Sequence, residues 1–549
     1  MAQRRLFAIL AAGILLGAYL LRFLQDDAFI AFHYARNLVE GKGLTWFGER
    51  VEGYTDFLWV LWNALGLRLG FRAEDWSQAG GLLSLAVALA ALWRIAGRLE
   101  GGPLLRPAAL FLFGSQFSVL AYATGGLETM AQTAALALCA VLVLEIRKDG
   151  GEEEDRCDRR RSISLALLGA AAVLLHPDSL LLVLLFFLQV RTSLSGRAKL
   201  LCAGIFLGVL GTWLVWKSAY YGVLLPNTYY AKVGGPLGPR IQSGLRYLGR
   251  YASDYLFPFL LPAVLFVRPR GKAKEPVLRL LFSWVLVWIG YLCWSGGDFM
   301  EYRFFIPVTP FLAVLTARIL LVEVGARLAG RPGLVLSLGC LLFSAASLAH
   351  ALRFRGTTED LALDSIPQLA SFYGLAGDGD FGRIGRLLAR DFEGLDPLLA
   401  LQPVGAIPYA SRLRTVDMWG LNDPFVARRG NPVPADFLRP GHRRHAPLAY
   451  LRKRGVHFIL GHPLEVPSGF LSRPRTADLA GGIARNLCRY EPRMPENAVF
   501  VELPLDRGRS LIAWYLTPDP GIDRRIREGD WLRRSFRIRD PEKPKAQGR

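Results

Sequence analysis

Residues 1–43 read MAQRRLFAILAAGILLGAYLLRFLQDDAFIAFHYARNLVEGKG, and two adjacent carboxylates, Asp26 and Asp27, stand just where the apolar run 6–24 ends. A basic leader, Arg4 and Arg5, precedes that run. Basic flanks stay in the cytoplasm, so a helix over 6–24 carries the aspartate pair to the far membrane face. Ionised groups at that depth are costly, and they mark a substrate or ion pathway. No small-residue cleavage site follows the run, which therefore reads as a retained span and not as a removed signal peptide.

The rest of the chain fits this opening. Of 549 residues, 52% are hydrophobic and only 20% charged, and the mean hydropathy is +0.27. Such a balance is too apolar for a soluble protein of this length. Weakly charged runs of roughly 17–25 residues, the length a bilayer requires, recur through the first two-thirds, and we count about eleven. They lie at 6–24, 77–97, 104–122, 128–146, 162–176, 179–190, 199–217, 255–268, 277–294, 304–324 and 332–349; 162–176, 179–190 and 255–268 fall short of that length, and the first two of these are tightly joined. Basic residues gather in alternate loops: Arg98 and Arg106; Arg147, Lys148 and 156–161; Arg191, Arg197 and Lys199; Arg268, Arg270, Lys272 and Lys274; Arg327 and Arg331. This positive-inside alternation predicts a cytoplasmic N-terminus, with everything after about residue 350 on the outer side. A net charge of +20 would point to nucleic acid in a soluble chain. Here the topology accounts for it, and no nucleic-acid partner is expected.

The organisation that follows is a membrane module over 1–349, with a large first outer loop at 25–76, and a soluble mixed α/β region over 350–549. In the outer loop, DDAFIAFHYARNLVEG has helical apolar spacing through Phe29, Phe32, Ala35, Leu38 and Val39. The tryptophan-rich TDFLWVLWNALGLRLG predicts a second helix, lying in the interface. In the soluble region FGRIGRLLARDF and HAPLAYLRKRG predict helices, while HFIL, AVFVEL and SLIAWYL predict strands. Of six cysteines only Cys488 falls there, so an internal disulfide is excluded.

Each outer loop contributes polar residues with usable chemistry. A carboxylate at 26 or 27 can take a proton from an attacking hydroxyl, and repulsion within the pair raises one pKa toward that work. The pair is also a candidate site for a divalent cation, or, more plainly, a helix N-cap. Arg36 and His33 lie on the same helix within two or three turns and suit phosphate or lipid headgroups. Glu52 and Glu128 stand at outer helix boundaries, where a carboxylate also satisfies a helix dipole. His176 and Asp178, in LLHPDSLLL, sit between two apolar runs with no other charge nearby. Lys232 in PNTYYAK and Arg303 in GGDFMEYRFF are candidates for gripping phosphate, with interfacial snorkelling as the alternative. Tyr229 suits either stacking on a carbohydrate or the aromatic belt, and Asp298 is placed to pair with Arg303. Asp417, His442 and His445 are weaker signals, since a His-x-x-His spacing alone does not make a metal site. No phosphate-loop, H-E-x-x-H or G-x-S-x-G motif is present.

The segments DDAFIAFHYARNLVEGKGLTWFGERVEGYTDFLWV, GGLET, YYGVLLPNTYYAK, GGDFMEYRFFIP and VDMWGLND resemble those of the GT-C superfamily, polytopic glycosyltransferases that use polyprenyl-phosphate sugars. More narrowly the chain resembles the actinobacterial terminal arabinofuranosyltransferase family. The resemblance implies a bacterial inner-membrane enzyme that moves a sugar, with inversion, from a polyprenyl-phosphate donor to an exported glycan, glycolipid or protein acceptor. It implies that Asp26 or Asp27 is the base, that Lys232 and Arg303 steady the phosphate, and that Glu128 and His176 line the cavity. HPDS departs from the Arg-Pro-Asp/Glu pattern of relatives, and no motif names the sugar. A transporter or flippase of lipid-linked sugars is the competing class, but repeated halves with broken helices, its usual mark, are not evident.

Overall fold

The structure, a computed structural model, describes residues 1–148, 155–232, 236–256, 276–325, 331–373, 380–434, 442–506, 508–529 and 531–538. Among them, seven helices are long and apolar enough to cross a membrane: Ala2–Leu20 (α1), Ala73–Ala96, Thr129–Arg147, Gly196–Tyr221, Pro276–Ser295, Arg303–Val324 and Pro332–Arg353. Their burial sorts them into rim and centre. On α1 only Ile14 and Ala18 are buried, while Ile9, Leu16 and Leu20 are exposed. Apolar side chains facing outward on so long a helix require lipid rather than water. Arg303–Val324 is the opposite case, with 94% of its apolar window buried. It starts as a 3-10 turn holding Pro307, continues as an α-helix over Thr309–Arg318 and ends as a π-helix over Ile319–Val324.

The remaining apolar runs behave differently. The run 104–122 is broken into helices Leu105–Gly114 and Phe117–Tyr122. The run 162–176 completes a helix that begins at Asp155. Ser179–Val190 has 12 residues, about 18 Å at the α-helical rise. The run 255–268 falls almost wholly outside the described residues, as do the basic residues that follow it.

The first outer loop forms two helices, Asp26–Val39 (α2) and Phe57–Arg68 (α3). Gln25 caps α2, its side-chain oxygen accepting from the Asp26 N–H (3.0 Å). Asp26 and Asp27 therefore occupy the first turn, where negative charge meets the positive helix end. Apart from Arg36, α2 is buried from Ala28 to Asn37. With 12 residues α3 is too short to cross, and it packs on α2 and on Ala73–Ala96.

The C-terminal region builds a six-stranded mixed sheet in the order β2-β1-β5-β7-β6-β8. The strands are β1 Leu399–Leu401, β2 Thr415–Asp417, β5 Phe458–Pro467, β6 Asn497–Pro504, β7 Arg509–Tyr515 and β8 Leu532–Arg537; β3 Asn431–Pro432 and β4 Arg444–His445 pair separately. Parallel pairing joins β1 to β2 and β5, and the other pairs are antiparallel. Period-two alternation divides the apolar residues between two cores. Leu399, Leu401, Phe458, Leu511 and Ala513 join the core that runs on into the membrane helices. Ala400, Ile459, Ile512 and Trp514 face a second core with helix Thr476–Leu487. One sheet face thus continues the packing of the helical bundle.

Candidate active site

The aspartate pair divides at the start of α2. Asp26 is buried, and its carboxylate accepts two backbone N–H bonds, from Gly405 to Oδ2 (3.0 Å) and from Ala406 to Oδ1 (2.6 Å). It thereby ties the outer loop to the helix Ala406–Ser411 of the C-terminal region. Gly405 permits this approach, because a Cβ there would lie 1.9 Å from the Asp26 carbonyl oxygen. Burial raises the Asp26 carboxyl to about 7; the Ala406 N–H opposes the shift and the Asp27 charge adds to it. Asp27 is less buried, and both aspartates line a cavity of about 1030 Å³ between the outer loops and the C-terminal region.

A buried charged network lies behind Asp27. The Arg303 Nε–H donates to Asp298 Oδ2 (2.7 Å), and after Asp298 the acids whose fields act most on Arg303 are Glu128 and Asp27. His176 Nδ1 is 2.6 Å from Asp178 Oδ1, and His176 Nε2 is 3.9 Å from Glu128 Oε1. Gln132 Nε2–H donates to Asp178 Oδ1 (2.6 Å). Residues from four separate loops are thus gathered at one end of the bundle.

Lys232 lines the same cavity as Asp27, and among the described residues it forms no ion pair. The opposite wall comes from the C-terminal region, through Gln402, Trp419, His442, Arg485, Arg489 and Tyr490. Trp419 is positioned by Asp417, whose buried carboxylate accepts from the N–H groups of Trp419 (2.9 Å), Gly420 (3.0 Å) and Asn422 (2.8 Å). Burial lifts Asp417 to about 6, with the Asn422 and Trp419 bonds opposing. The VDMWGLND motif is therefore a loop clamp. Asn422 Oδ1 accepts from the Tyr34 hydroxyl of α2 (3.0 Å), and Asn227 Nδ2–H donates to the Gly420 carbonyl (2.7 Å).

Other sequence candidates lie elsewhere. Arg36 does not line the Asp27 cavity: its Nη1–H donates to the Tyr409 carbonyl (2.7 Å), and its guanidinium covers the Tyr409 ring at 4.4 Å. His33 is buried against Trp46 and Phe47, and burial pushes its pKa down to about 3. Tyr229 is 41% exposed and outside the cavity lining, packed edge-on against Tyr230. His445 packs between Trp419 and Tyr490. A divalent cation shared by Asp26 and Asp27 fits poorly, because both Asp26 oxygens already accept backbone N–H bonds. Among the described residues no group of three or more His, Cys, Asp or Glu side chains is placed to hold a metal ion.

Three buried features were not singled out in the sequence. Asp56 precedes α3, its pKa raised by burial and then by the charge of Glu128. Lys217, on the span Gly196–Tyr221, pairs with Glu52 at 2.7 Å, both almost fully buried. His350 bridges Asp254 (3.1 Å) and Glu301 (2.9 Å), and the second Glu301 oxygen accepts from the Ile366 N–H (2.7 Å). An ionisable residue at the end of an apolar run was the available signal for Lys217, which closes 199–217, and for His350, which directly follows 332–349.

Among solved structures, the chain is similar to ArnT from Cupriavidus metallidurans bound to undecaprenyl phosphate, at 14% identity and a TM-score of 0.56, covering 92% of this chain and 97% of that one. ArnT in the apo state matches at 12% identity and TM-score 0.48, covering 93% and 98%. The Archaeoglobus fulgidus oligosaccharyltransferase in the apo form matches at 11% and 0.47, covering 94% and 75%. The first similarity carries the fold, which is of the GT-C type: a polytopic helical membrane protein with a C-terminal α/β region. A family described as a domain of unknown function (DUF8728) matches residues 374–502, which include most of the C-terminal cavity wall. No curated protein matches the sequence.

Proposed function

We propose that this chain is a membrane glycosyltransferase that moves one sugar from a polyprenyl-phosphate carrier to an exported acceptor, with Asp27 as the base. The carrying observation is that Asp26, Asp27 and Lys232 line one cavity, and of the two carboxylates only Asp26 has both oxygens taken, by the Gly405 and Ala406 N–H groups. In this reading the acceptor hydroxyl oxygen attacks the anomeric carbon from the side opposite the phosphate. The new C–O bond forms as the bond to the phosphate oxygen breaks, its electron pair leaves on the phosphate, and the acceptor proton passes to Asp27. One displacement inverts the centre. Lys232 offsets the charge that develops on the leaving phosphate.

Arg303, Asp298, Glu128, His176 and Asp178 do not line the Asp27 cavity as the sequence led us to expect; in this reading their buried network acts on the pocket through its charge. The acceptor, a glycan, glycolipid or protein, enters against the C-terminal wall, so the region after residue 350 serves as its platform. The basic loops support a cytoplasmic N-terminus and an exported site in a bacterial inner membrane. The ArnT similarity supports the carrier class, since that protein is described as bound to undecaprenyl phosphate. Purified protein in vesicles, given a panel of polyprenyl-phosphate sugars, should transfer label, and Asp27→Asn should stop it. Movement of the carrier across the bilayer without covalent transfer would instead establish the flippase class.

A further inference from the structure

A second cavity, of about 510 Å³, opens on the other side of α2 and does not include Asp27, Lys232 or Arg303. Arg36, Arg386 and Arg412 line it together with Tyr409, Phe29 and Leu67. Glu40 and Glu74 also reach its wall, but each has a further basic partner. Lys42 Nζ lies 2.6 Å from Glu40, which also meets Arg412 at 3.1 Å, and Arg72 lies 3.7 Å from Glu74. Arg36 itself forms no ion pair with a described carboxylate; its Nη1–H goes to the Tyr409 carbonyl, its Nη2 lies 3.3 Å from His33 Nδ1, and its face covers a ring, which leaves part of its five N–H groups uncommitted. A largely buried guanidinium that is ion-paired to neither of the wall's two carboxylates retains donors for an anion, and guanidiniums match phosphate oxygens bidentately. The surroundings add a second indication. Leu65, Leu69 and Phe71, beside Leu67 at the end of α3, are exposed apolar side chains. Glu74, in the first turn of the span Ala73–Ala96, lines the cavity, so the cavity stands at the end of a membrane span, beside these apolar side chains in the chain and at the depth of lipid headgroups.

We propose that this cavity binds a phosphate ester, and that its source is the headgroup of an anionic phospholipid seated beneath the C-terminal region. Such a lipid would seal the junction between α2 and helix Ala406–Ser411 from the side opposite the Asp27 cavity. The proposal does not depend on the transfer reaction, because its readout is lipid occupancy.

The test uses full-length protein reconstituted with phosphatidylcholine and phosphatidylglycerol, with retained lipid counted by native mass spectrometry after detergent exchange. The parent should keep one phosphatidylglycerol, and Arg412→Gln or Arg386→Gln should lower its occupancy about fivefold or more with Tm unchanged. Arg36→Gln should do the same, but it also removes the bond to Tyr409, so the two rim variants keep the test valid if it unfolds. Arg246→Gln, an exposed change on the remote helix Leu237–Tyr255, should leave occupancy as it was. Inorganic phosphate is the second probe. Stabilisation by millimolar phosphate that is lost in Arg412→Gln, with no retained lipid, would keep the anion site and overturn its lipid source. Equal occupancy in the parent and all three cavity variants would overturn the site altogether.

Discussion

Helix α2 separates two cavities, and the contrast between them follows from the geometry of a single helix. Asp27 and Arg36 are nine residues apart in the sequence. At 3.6 residues per turn this is roughly two and a half turns, so the two side chains leave the helix on opposite faces. One face meets the large cavity with Lys232, and the other meets the smaller cavity with Arg386 and Arg412. Asp26, about 100° round from Asp27, borders the large cavity too, but its oxygens are consumed in holding Gly405 and Ala406. Proximity along a helix therefore did not amount to membership of one site. Rotation decided which carboxylate was free and which cation stood opposite it.

The sharpest way to break this contrast is to exchange the two aspartates for asparagine one at a time. Asp27→Asn should lower transfer by about 10³-fold, because it removes the base without disturbing the fold. Lys232→Gln should raise KM for the carrier by about thirtyfold, the worth of one charge-assisted contact, measured with a fixed acceptor. Asp26→Asn should cost about tenfold in kcat, since one amide of the 405–406 turn loses its acceptor; equal loss in the two asparagine variants would erase the distinction.

Two further outcomes concern stability. Gly405→Ala drives a Cβ against the Asp26 backbone and should destabilise by about 1–3 kcal/mol, read as a drop in Tm. Because burial lifts Asp26 to about 7, the folded state holds a proton that the unfolded state has released between about pH 4 and 7. Stability of the parent should fall as pH rises through that window and level off above it. Asp26→Asn lacks this slope, so the Tm difference should move in favour of the variant between about pH 5 and 7.5. The smallest expected effect is on transfer by Arg412→Gln, which should stay within about twofold of the parent.

Much of this arrangement was legible as pattern. The apolar run before Asp26 and the recurrence of such runs set the membrane class, and the helical spacing of 26–41 set the helix that carries the pair. Strands β5, β6 and β7 announced themselves through HFIL, AVFVEL and SLIAWYL. Strands β1 and β2, of three residues each, are too short for periodicity to detect, and β8 reads LRRSFR, whose arginines mask its alternation. The run 104–122 looked continuous because hydropathy averages over Ser115 and Gln116, where the backbone breaks.

By itself the sequence determined that this chain lives in a bilayer, because twenty-residue apolar runs have no other favourable solvent. It also determined which loops carry charge worth keeping there. Only tertiary structure decided how those charges combine: that Asp27 and Lys232 line one cavity, that Asp26 holds the C-terminal region, and that Arg36 lines another. The reason is physical. Hydropathy is a property of each segment alone, whereas a carboxylate's partners depend on helix rotation and on residues nearly 400 positions distant.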